Sequence, residues 1–557
     1  MAYDITPVKA PRATGTLLRL LCSLAESRLT GPLLAPQLLA QVGVSDLRLA
    51  NVEHAQWGPA ELWRLAQQQS DKQAADVPHT DWPEGAFRYN TAADYAVAYR
   101  KGAANPEDVA WKFVESWADS DKAKPALRAF IAVDPEDVMA QAKESRARFE
   151  AGKPLGPLDG VPVAVKDELD QVGFPTTVGT RFLGTDNALH DAHVVRKLRA
   201  AGAVLIGKAN MHEFGMGVTG LNPHHGSARN PHNPAHATGG SSSGSACAVA
   251  AGLCPIAVGA DGGGSIRIPS SFCGVVGLKP TFGRVSENGA APVCWSVAHI
   301  GPIGASVADV ALGYSLMAGP DPQDDNTHGH PLATLGALAS NDLTGVKLGI
   351  YSDWFDDADK PVATACRAVL SRLEEAGAKL VEIEIPELGL LRTVHLVTIV
   401  SEMATAHELY YRAHRKDYGL DVRMNLALAR RLTARDYVHA QRLRTRINRH
   451  FFEQLHNVDA IVTPATGITA PPLPEDALKT GESNLTLATR IMLYAMAANL
   501  TGLPAISFPA GYDDSGLPIG LQAMGGPFAE DRLLQLAQIA ESHVGRQKPA
   551  VHFDLLT

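Results

Sequence analysis

The chain has 557 residues, a length that favours one oversized domain or two. Its 45% hydrophobic and 20% charged residues suffice for a globular core, which excludes a wholly disordered protein. The formal net charge is −9, from 50 basic and 59 acidic residues without a basic block. Because phosphate binding needs a positive footprint, we do not expect nucleic acid to be the main partner.

The N-terminus and the six cysteines indicate the compartment. In the first 15 residues, prolines and charges stand where a secretory signal has its apolar run, so we expect no cleaved signal. The cysteines form neither a CxxC pair nor a closely spaced framework, which favours reduced thiols. Together these features predict a cytoplasmic protein.

Residues 16–44 predict two short amphipathic helices. Charges and prolines interrupt this apolar stretch before the roughly 20 residues that a membrane-spanning helix needs. Leu17, Leu21 and Leu24 fall on one helical face, which we expect to pack on the protein's own body. Peripheral contact with a membrane surface and a place at the entrance for a lipophilic substrate are the alternatives.

A polar stretch at 70–93 predicts a linker with a boundary near residue 86, so that 1–85 form an N-terminal helical extension and 86–557 the main domain. Beyond the boundary, apolar strand patterns alternate with helical patterns, which predicts an α/β fold. The predicted helices are 135–151, 192–201, 362–377, 394–415, 425–456 and 529–544. The predicted strands are 161–166, 203–207, 254–260, 345–352, 379–386, 459–466, 503–511 and 517–525.

Metal and nucleotide sites are not supported by the pattern. Four histidines cluster in one segment: His224, His225, His232 and His236. Prolines interrupt that segment, and no Cys or carboxylate joins the histidines at zinc spacing, so we expect loop histidines and no metal. The glycine-rich segments at 239–244 and 261–265 match neither a P-loop nor a dinucleotide-binding fingerprint, so we expect no nucleotide cofactor.

Two serines have features of a nucleophile. Ser242 lies in a literal G-x-S-x-G, but the prolines and polar residues before it cannot form the buried strand that this turn requires. Ser265 instead follows a buried strand and ends the segment DGGGS at 261–265. The bare backbone N–H groups of that segment suit an oxyanion hole, and a tight turn with incidental glycines is the alternative.

A serine nucleophile needs a base, because its hydroxyl is a poor nucleophile at neutral pH. Lys166 closes the apolar strand 161–165, where burial among hydroxyls would favour the neutral amine that can accept a proton. An ion pair with Asp167, or exposure at the strand end, is the commoner fate of such a lysine.

Three motifs occur in order along the chain: GVPVAVKD at 160–167, TGGSSSGSA at 238–246 and GADGGGSIRIPSSFCGVVGLKPTFGR at 259–284. Together they closely resemble the amidase signature family of serine hydrolases. The resemblance covers roughly residues 90–545. It implies a large α/β/α sandwich around a central mixed β-sheet.

The resemblance also implies roles for single residues. Its base, proton shuttle and nucleophile correspond to Lys166, Ser241 and Ser265, which are separated by 75 and 24 residues as in the family. We expect a cis peptide bond before Ser241, which would aim its hydroxyl between the other two. The oxyanion donors that it implies are the backbone N–H groups of Gly262, Gly263, Gly264 and Ser265. Asp261 and Arg267 are expected to brace that loop, and the predicted pocket residues are Met216, Cys294 and Trp295.

Within the family, the motif forms and the N-terminal helices look most like plant-type fatty acid amide hydrolases. This likeness implies cleavage of lipophilic N-acyl amides, such as fatty acyl ethanolamides, through an acyl-enzyme on Ser265, without a metal or other cofactor, in a homodimer. Amidases acting on aryl acylamides, short aliphatic amides, esters or carbamates are the alternatives. An amidotransferase A-type subunit fits the N-terminal extension less well, and an inactive binding protein does not fit the intact catalytic positions.

Overall fold

The computed structural model describes residues 3–51, 82–83 and 85–557. Most of the predicted linker at 70–93 lies outside the described residues. The strands are β1 (Ala13–Thr14), β2 (Phe130–Ala132), β3 (Pro162–Lys166), β4 (Val204–Ala209), β5 (Ile256–Ala260), β6 (Val276–Lys279), β7 (Ile300–Gly304), β8 (Lys347–Ile350), β9 (Lys379–Glu382), β10 (Ala460–Pro464), β11 (Glu482–Ser483), β12 (Ala505–Tyr512) and β13 (Pro518–Gly525).

Helices before and within the first half of the sheet are α1 (Gly15–Glu26), α2 (Gly31–Gln41), α3 (Val44–Leu49), α4 (Ala92–Lys101), α5 (Pro106–Lys122), α6 (Pro135–Glu150), α7 (His193–Ala200), α8 (Ser243–Ala250), α9 (Arg267–Cys273) and α10 (Val307–Met317). The later helices are α11 (Ser352–Phe355), α12 (Lys360–Glu375), α13 (Leu388–Ala406), α14 (Glu408–His414), α15 (Leu420–Ala429), α16 (Ala434–Leu455), α17 (Leu485–Ile491), α18 (Met496–Thr501) and α19 (Glu530–Glu541).

Eleven of the described strands form one mixed sheet in the order β2-β4-β3-β5-β7-β6-β12-β13-β10-β8-β9. β3 pairs in parallel with β4 and β5, and β8 pairs in parallel with β9 and β10. The remaining neighbours are antiparallel. Every residue of β3, β4 and β5 is buried, which requires cover on both faces of the sheet. The predicted α/β/α sandwich around a mixed sheet is confirmed.

Two parallel strands bring distant segments of the chain together. Because β3 and β5 run side by side in the same direction, their carboxyl ends lie at one edge of the sheet. Lys166 is the last residue of β3, and β5 leads into the glycine-rich loop before α9. α8 packs close to its neighbours, since a Cβ added at Gly244 would lie 2.2 Å from Ala129 O.

The N-terminal helices pack on later helices of the chain. Leu18, Cys22 and Ala25 of α1 form a buried cluster with the apolar face of α15. The predicted face, which included Leu17, is wrong by one position, because Leu17 is 54% exposed. Two faces of α1 are covered. The face with Leu21 lines a cavity, and the adjacent face, which carries Cys22, contacts α15. No helix among the described residues is long and apolar enough to cross a membrane.

A buried ion pair joins α1 to α15. Glu26 Oε1 and Oε2 accept hydrogen bonds from Arg423 Nε at 2.8 Å and Nη2 at 2.6 Å. Both side chains are at most 10% exposed, and the hydrogen bonds to Glu26 raise the pKa of Arg423. Tyr411 also donates to Glu26 Oε1, at 3.1 Å. Breaking a pair this buried is costly, because the remaining charge has no partner.

Replacing Glu26 by Gln therefore tests how α1 is held. We expect the free energy of local opening of α1 to fall by about 2 kcal/mol. Amide exchange in residues 15–26 would then be about 30-fold faster, which hydrogen–deuterium exchange measures directly. The matched control is Glu375→Gln, which removes an exposed partner of Arg372 and should leave exchange in α1 unchanged. Equal exchange in the two variants would contradict this role of Glu26.

Candidate active site

Lys166, Ser241 and Ser265 line one cavity at the carboxyl edge of β3 and β5. Lys166 Nζ donates to Ser241 Oγ at 2.8 Å and to Ala260 O at 3.1 Å. The lysine side chain is fully buried, and the two serines are almost fully buried. The peptide bond between Gly240 and Ser241 is cis, as expected. The fold thus places an amine and two hydroxyls from three separate segments at one site.

Ser242 has a structural place beside them. Its Oγ donates to Ala260 O at 3.2 Å and accepts from Ala260 N–H at 3.3 Å. Its own N–H donates to Ser265 O at 3.2 Å. These contacts tie the start of α8 to the end of β5, and they agree with the rejection of Ser242 as the nucleophile.

Glu168 joins the site without having been predicted. Its Oε2 lies 2.8 Å from Lys166 Nζ, and its side chain is buried. Asp167, the partner considered in the sequence, instead lies 3.4 Å from the buried Lys208 Nζ. The chain turns directly after Lys166, where the N–H of Leu169 donates to Lys166 O at 3.1 Å, so strand alternation gave no signal for Glu168. Lys166 therefore has three acceptors around its amine: a hydroxyl, a carbonyl and a carboxylate.

A fully buried pair braces the loop that carries Ser265. Arg267 Nε and Nη2 donate to Asp261 Oδ2 and Oδ1, both at 3.0 Å. The carboxylate also accepts the backbone N–H groups of Gly264 at 2.7 Å and Ile266 at 3.0 Å. Burial alone raises the pKa of Asp261, but the charge and hydrogen bonds of Arg267 outweigh it and hold that pKa well below its ordinary value. The predicted bracing contact between these two residues is present.

The backbone N–H groups of this loop differ in their hydrogen bonding. The resemblance implied that the N–H of Gly264 is an oxyanion donor. In the structure this N–H donates to Asp261 Oδ1, so it is not free to bind an oxyanion. The N–H groups of Gly262, Gly263 and Ser265 meet no acceptor among the described residues. A Cβ at Gly262 would lie 2.8 Å from a neighbouring sulfur, so the loop has no space there for a side chain. These three donors suit the developing negative charge of an acyl-transfer reaction.

A cavity of about 320 Å³ begins at the three catalytic candidates. Its walls come mainly from apolar side chains of α13, α15 and α17, and from residues 8–44 of the N-terminal segment. The lining residues of that segment include Leu18, Leu21, Leu39, Val42 and Val44. The cavity is therefore completed by a part of the chain that precedes all three motifs.

Two of the three predicted pocket residues line this cavity. Met216 and Cys294 do so, and burial raises the pKa of the Cys294 thiol well above its ordinary value. Trp295 does not: its side chain is 46% exposed. In this irregular segment successive side chains point in different directions, with Cys294 toward the cavity and the hydroxyl of Ser296 toward Glu402 Oε1 at 2.5 Å.

The clustered histidines have separate partners. His224 Nε2 lies 2.9 Å from Glu213 Oε1, and His225 Nε2 lies 2.7 Å from Thr180 O. Burial lowers the pKa of His232 to about 4. Within residues 3–51, 82–83 and 85–557, no group of three or more His, Cys, Asp or Glu side chains is placed to hold a metal ion.

Comparison with known proteins identifies the family to which the chain belongs. The amidase family model matches residues 113–534. The chain is 39% identical to the fatty acid amide hydrolase of Arabidopsis thaliana, over 100% of this chain and 96% of that protein. This chain belongs to the amidase signature family. The amidase is also 38% identical to a glutamyl-tRNA(Gln) amidotransferase subunit of Symbiobacterium thermophilum, over 74% of this chain and 89% of that protein.

Solved structures agree with this assignment. A native peptide amidase from Stenotrophomonas maltophilia superposes with a TM-score of 0.69 and 29% identity, over 84% of this chain and 99% of that chain. Another crystal structure of an amidase gives a TM-score of 0.72 and 30% identity, over 82% of this chain and 100% of that one. The protein is accordingly an amide hydrolase, acting on C–N bonds other than ordinary peptide bonds.

The close contact at Gly262 provides a test of the loop in this amidase. In Gly262→Ala, the new methyl group would meet Cys294 Sγ at 2.8 Å and displace the loop. We expect amide hydrolysis to fall about 100-fold, as when an oxyanion donor is lost. Shortening the neighbour in the double variant Gly262→Ala/Cys294→Ala should restore at least part of the rate.

Steady-state kinetics on the folded variants measure this effect. The control is Gly526→Ala, where an added methyl group meets nothing within 4 Å and the rate should stay unchanged. A Gly262→Ala enzyme as active as Gly526→Ala would show that the loop does not need this close approach.

Proposed function

We propose that this amidase cleaves N-acyl amides with lipophilic acyl groups, such as fatty acyl ethanolamides, through an acyl-enzyme on Ser265. The observation that carries the proposal is the apolar cavity that leads from Ser265 to the N-terminal helices. An extended acyl chain placed there gains free energy from the burial of its methylene groups. The similarity to enzymes named fatty acid amide hydrolase over the whole chain, N-terminal segment included, supports the same substrate class.

The proposed chemistry moves one proton along a short route. In the reactive form that we propose, Lys166 is neutral and keeps its hydrogen bonds to Ala260 O and Glu168, while the direction of its hydrogen bond with Ser241 reverses, so that its lone pair accepts the hydroxyl proton of Ser241. Ser241 takes the proton of Ser265, whose Oγ attacks the amide carbonyl carbon. The free loop N–H groups stabilise the oxyanion. The proton then returns through Ser241 to the leaving amine, and water hydrolyses the acyl-enzyme to release the acid.

The N-terminal extension is part of this proposal. We propose that residues 1–85 form an extension of the catalytic domain 86–557, and that its residues 8–44, which line the cavity, serve as a cover. The amidotransferase subunits match only about three quarters of this chain, which disfavours that alternative role. The cysteines, all unpaired, favour a cytoplasmic location, and the family resemblance favours a homodimer.

Loss of the nucleophile gives the most direct test of the mechanism. Ser265→Ala should abolish covalent labelling by a fluorophosphonate and lower turnover by more than about 10³-fold. Ser242→Ala is the matched control, since it removes a neighbouring buried hydroxyl that lies outside the cavity and should leave labelling intact. Mass spectrometry of the labelled peptide distinguishes the two, and full labelling of Ser265→Ala would reject the assignment.

The pH profile tests Lys166 as the base. Activity should fall in acid as the amine gains a proton, and Lys166→Ala should weaken that dependence along with the rate. The nearby Cys294 thiol stays neutral, because burial raises its pKa. A pH profile that Lys166→Ala leaves unchanged would contradict this assignment, and chelators should have no effect.

The substrate class is tested with a panel of acyl ethanolamides, short aliphatic amides, anilides, esters and carbamates. We expect kcat/KM to rise with acyl length. Leu21→Trp, which narrows the cavity, should selectively impair the long-chain substrates and spare the short ones. Leu17→Trp is the control, because Leu17 is exposed and lies outside the cavity. Equal activity on all acyl lengths, or equal effects of both variants, would reject the lipophilic class.

A further inference from the structure

A histidine from outside the motifs contacts the loop of the catalytic serine. His395, on α13, is fully buried, and its Nε2 lies 2.8 Å from Gly262 O. Burial lowers the pKa of this imidazole to about 4, so the ring is neutral at neutral pH. A carbonyl oxygen only accepts, which places the single ring proton on Nε2. His395 therefore donates a hydrogen bond to the peptide group between Gly262 and Gly263.

The hydrogen bond from His395 fixes the orientation of the whole peptide group between Gly262 and Gly263. In a planar trans peptide, C=O and N–H point in opposite directions, so holding Gly262 O also aims the N–H of Gly263. This N–H meets no acceptor among the described residues. A Cβ at Gly263 would lie 2.9 Å from His395 Cε1, so the ring packs directly against the backbone that it orients.

The preceding peptide is held in the same manner. Asn499 Nδ2, on α18, donates to Asp261 O at 2.8 Å, which aims the next N–H, that of Gly262. Two successive peptide planes are thus held by side chains that act on their carbonyl oxygens, while their N–H groups are left for a ligand. Asn499 also binds Asp261 Oδ1 and Val297 O, whereas the imidazole reaches the loop through this one hydrogen bond.

We infer that His395 is a positioning residue of the oxyanion hole: its Nε2–H holds Gly262 O and thereby aims the Gly263 N–H at the oxyanion formed when Ser265 attacks. This rests on the proposed role of Ser265 and is independent of which acyl group the enzyme accepts. A donor held in place before the reaction stabilises the developing charge without the cost of reorientation. Its loss should therefore lower kcat and leave substrate binding nearly unchanged.

The experiment compares His395→Phe with His395→Gln. The first keeps a ring without a donor, and the second keeps an N–H within reach of the carbonyl. We expect kcat to fall 10- to 100-fold in His395→Phe with KM within about threefold of the wild type, and to recover at least tenfold in His395→Gln. His439→Phe is the control, since His439 also lies 3.0 Å from a backbone carbonyl, Ala50 O, but outside the cavity. Its kcat should be unchanged.

Inhibitor binding separates positioning from general damage. A trifluoromethyl ketone forms a tetrahedral oxyanion with the catalytic serine, and its affinity should fall in His395→Phe by the same factor as kcat/KM. The product carboxylic acid, without that geometry, should bind as in the wild type. Should His395→Phe not fold, His395→Asn, whose amide is too short to reach Gly262 O, is used in its place.

Two results would overturn the inference. One is wild-type kcat and ketone affinity in the variant that lacks the donor. The other is an equal loss of product and ketone affinity, which would mean a damaged cavity. Both are distinct from failure of the proposed function, which would appear as an inactive wild type or as full labelling of Ser265→Ala.

Discussion

The active site depends on one buried carboxylate, that of Asp261, whose charge must be compensated by hydrogen bonds and by a cation. Asp261 is withdrawn from water, and it compensates by binding Arg267 and the backbone N–H groups that follow it. The same contacts bend the chain after β5 into the loop that ends in Ser265. Because the carboxylate uses the N–H of Gly264, the donors left for a substrate are those of Gly262, Gly263 and Ser265. The hydrogen bonds that compensate the buried charge of Asp261 are therefore also the ones that shape the loop of Ser265 in this amidase.

The Lys166 amine is completely buried, and three acceptors surround it: Ser241 Oγ, Ala260 O and Glu168 Oε2. In the proposed mechanism, a proton passes to this lysine and returns within one catalytic cycle. The carbonyl and the carboxylate hold the amine in place while it exchanges that proton with Ser241.

The cavity links the two parts of the chain. α1 packs on α15 through an apolar cluster and through the buried pair of Glu26 and Arg423, and its other side faces the cavity. An N-terminal segment held in this way shields the apolar wall from water, which strengthens both the hydrophobic binding of a substrate and the electrostatic interactions at the serines. The buried pair that helps to anchor this segment, Glu26 and Arg423, does not itself line the cavity.

The sequence by itself determined the parts of this protein that depend on local pattern. The buried strands at 162–166 and 256–260 are apolar runs. The three motifs, through the family resemblance, predict Lys166, Ser241 and Ser265 as site residues, and the fold brings these three to one cavity. Short strands were missed where composition opposes them, as in β7, whose residues Ile300–Gly304 include two glycines and a proline.

Only the tertiary structure decided which distant residues meet. His395 lies 133 residues from the carbonyl that it binds, and no local period relates the two. The buried face of α1 is shifted by one position from its predicted face, because periodicity shows that a helix is amphipathic but not how many neighbours it has. Even within a recognised motif, the hydrogen bond that occupies Gly264 is set by where the carboxylate of Asp261 points, and that direction follows from the charge of Arg267 buried beside it.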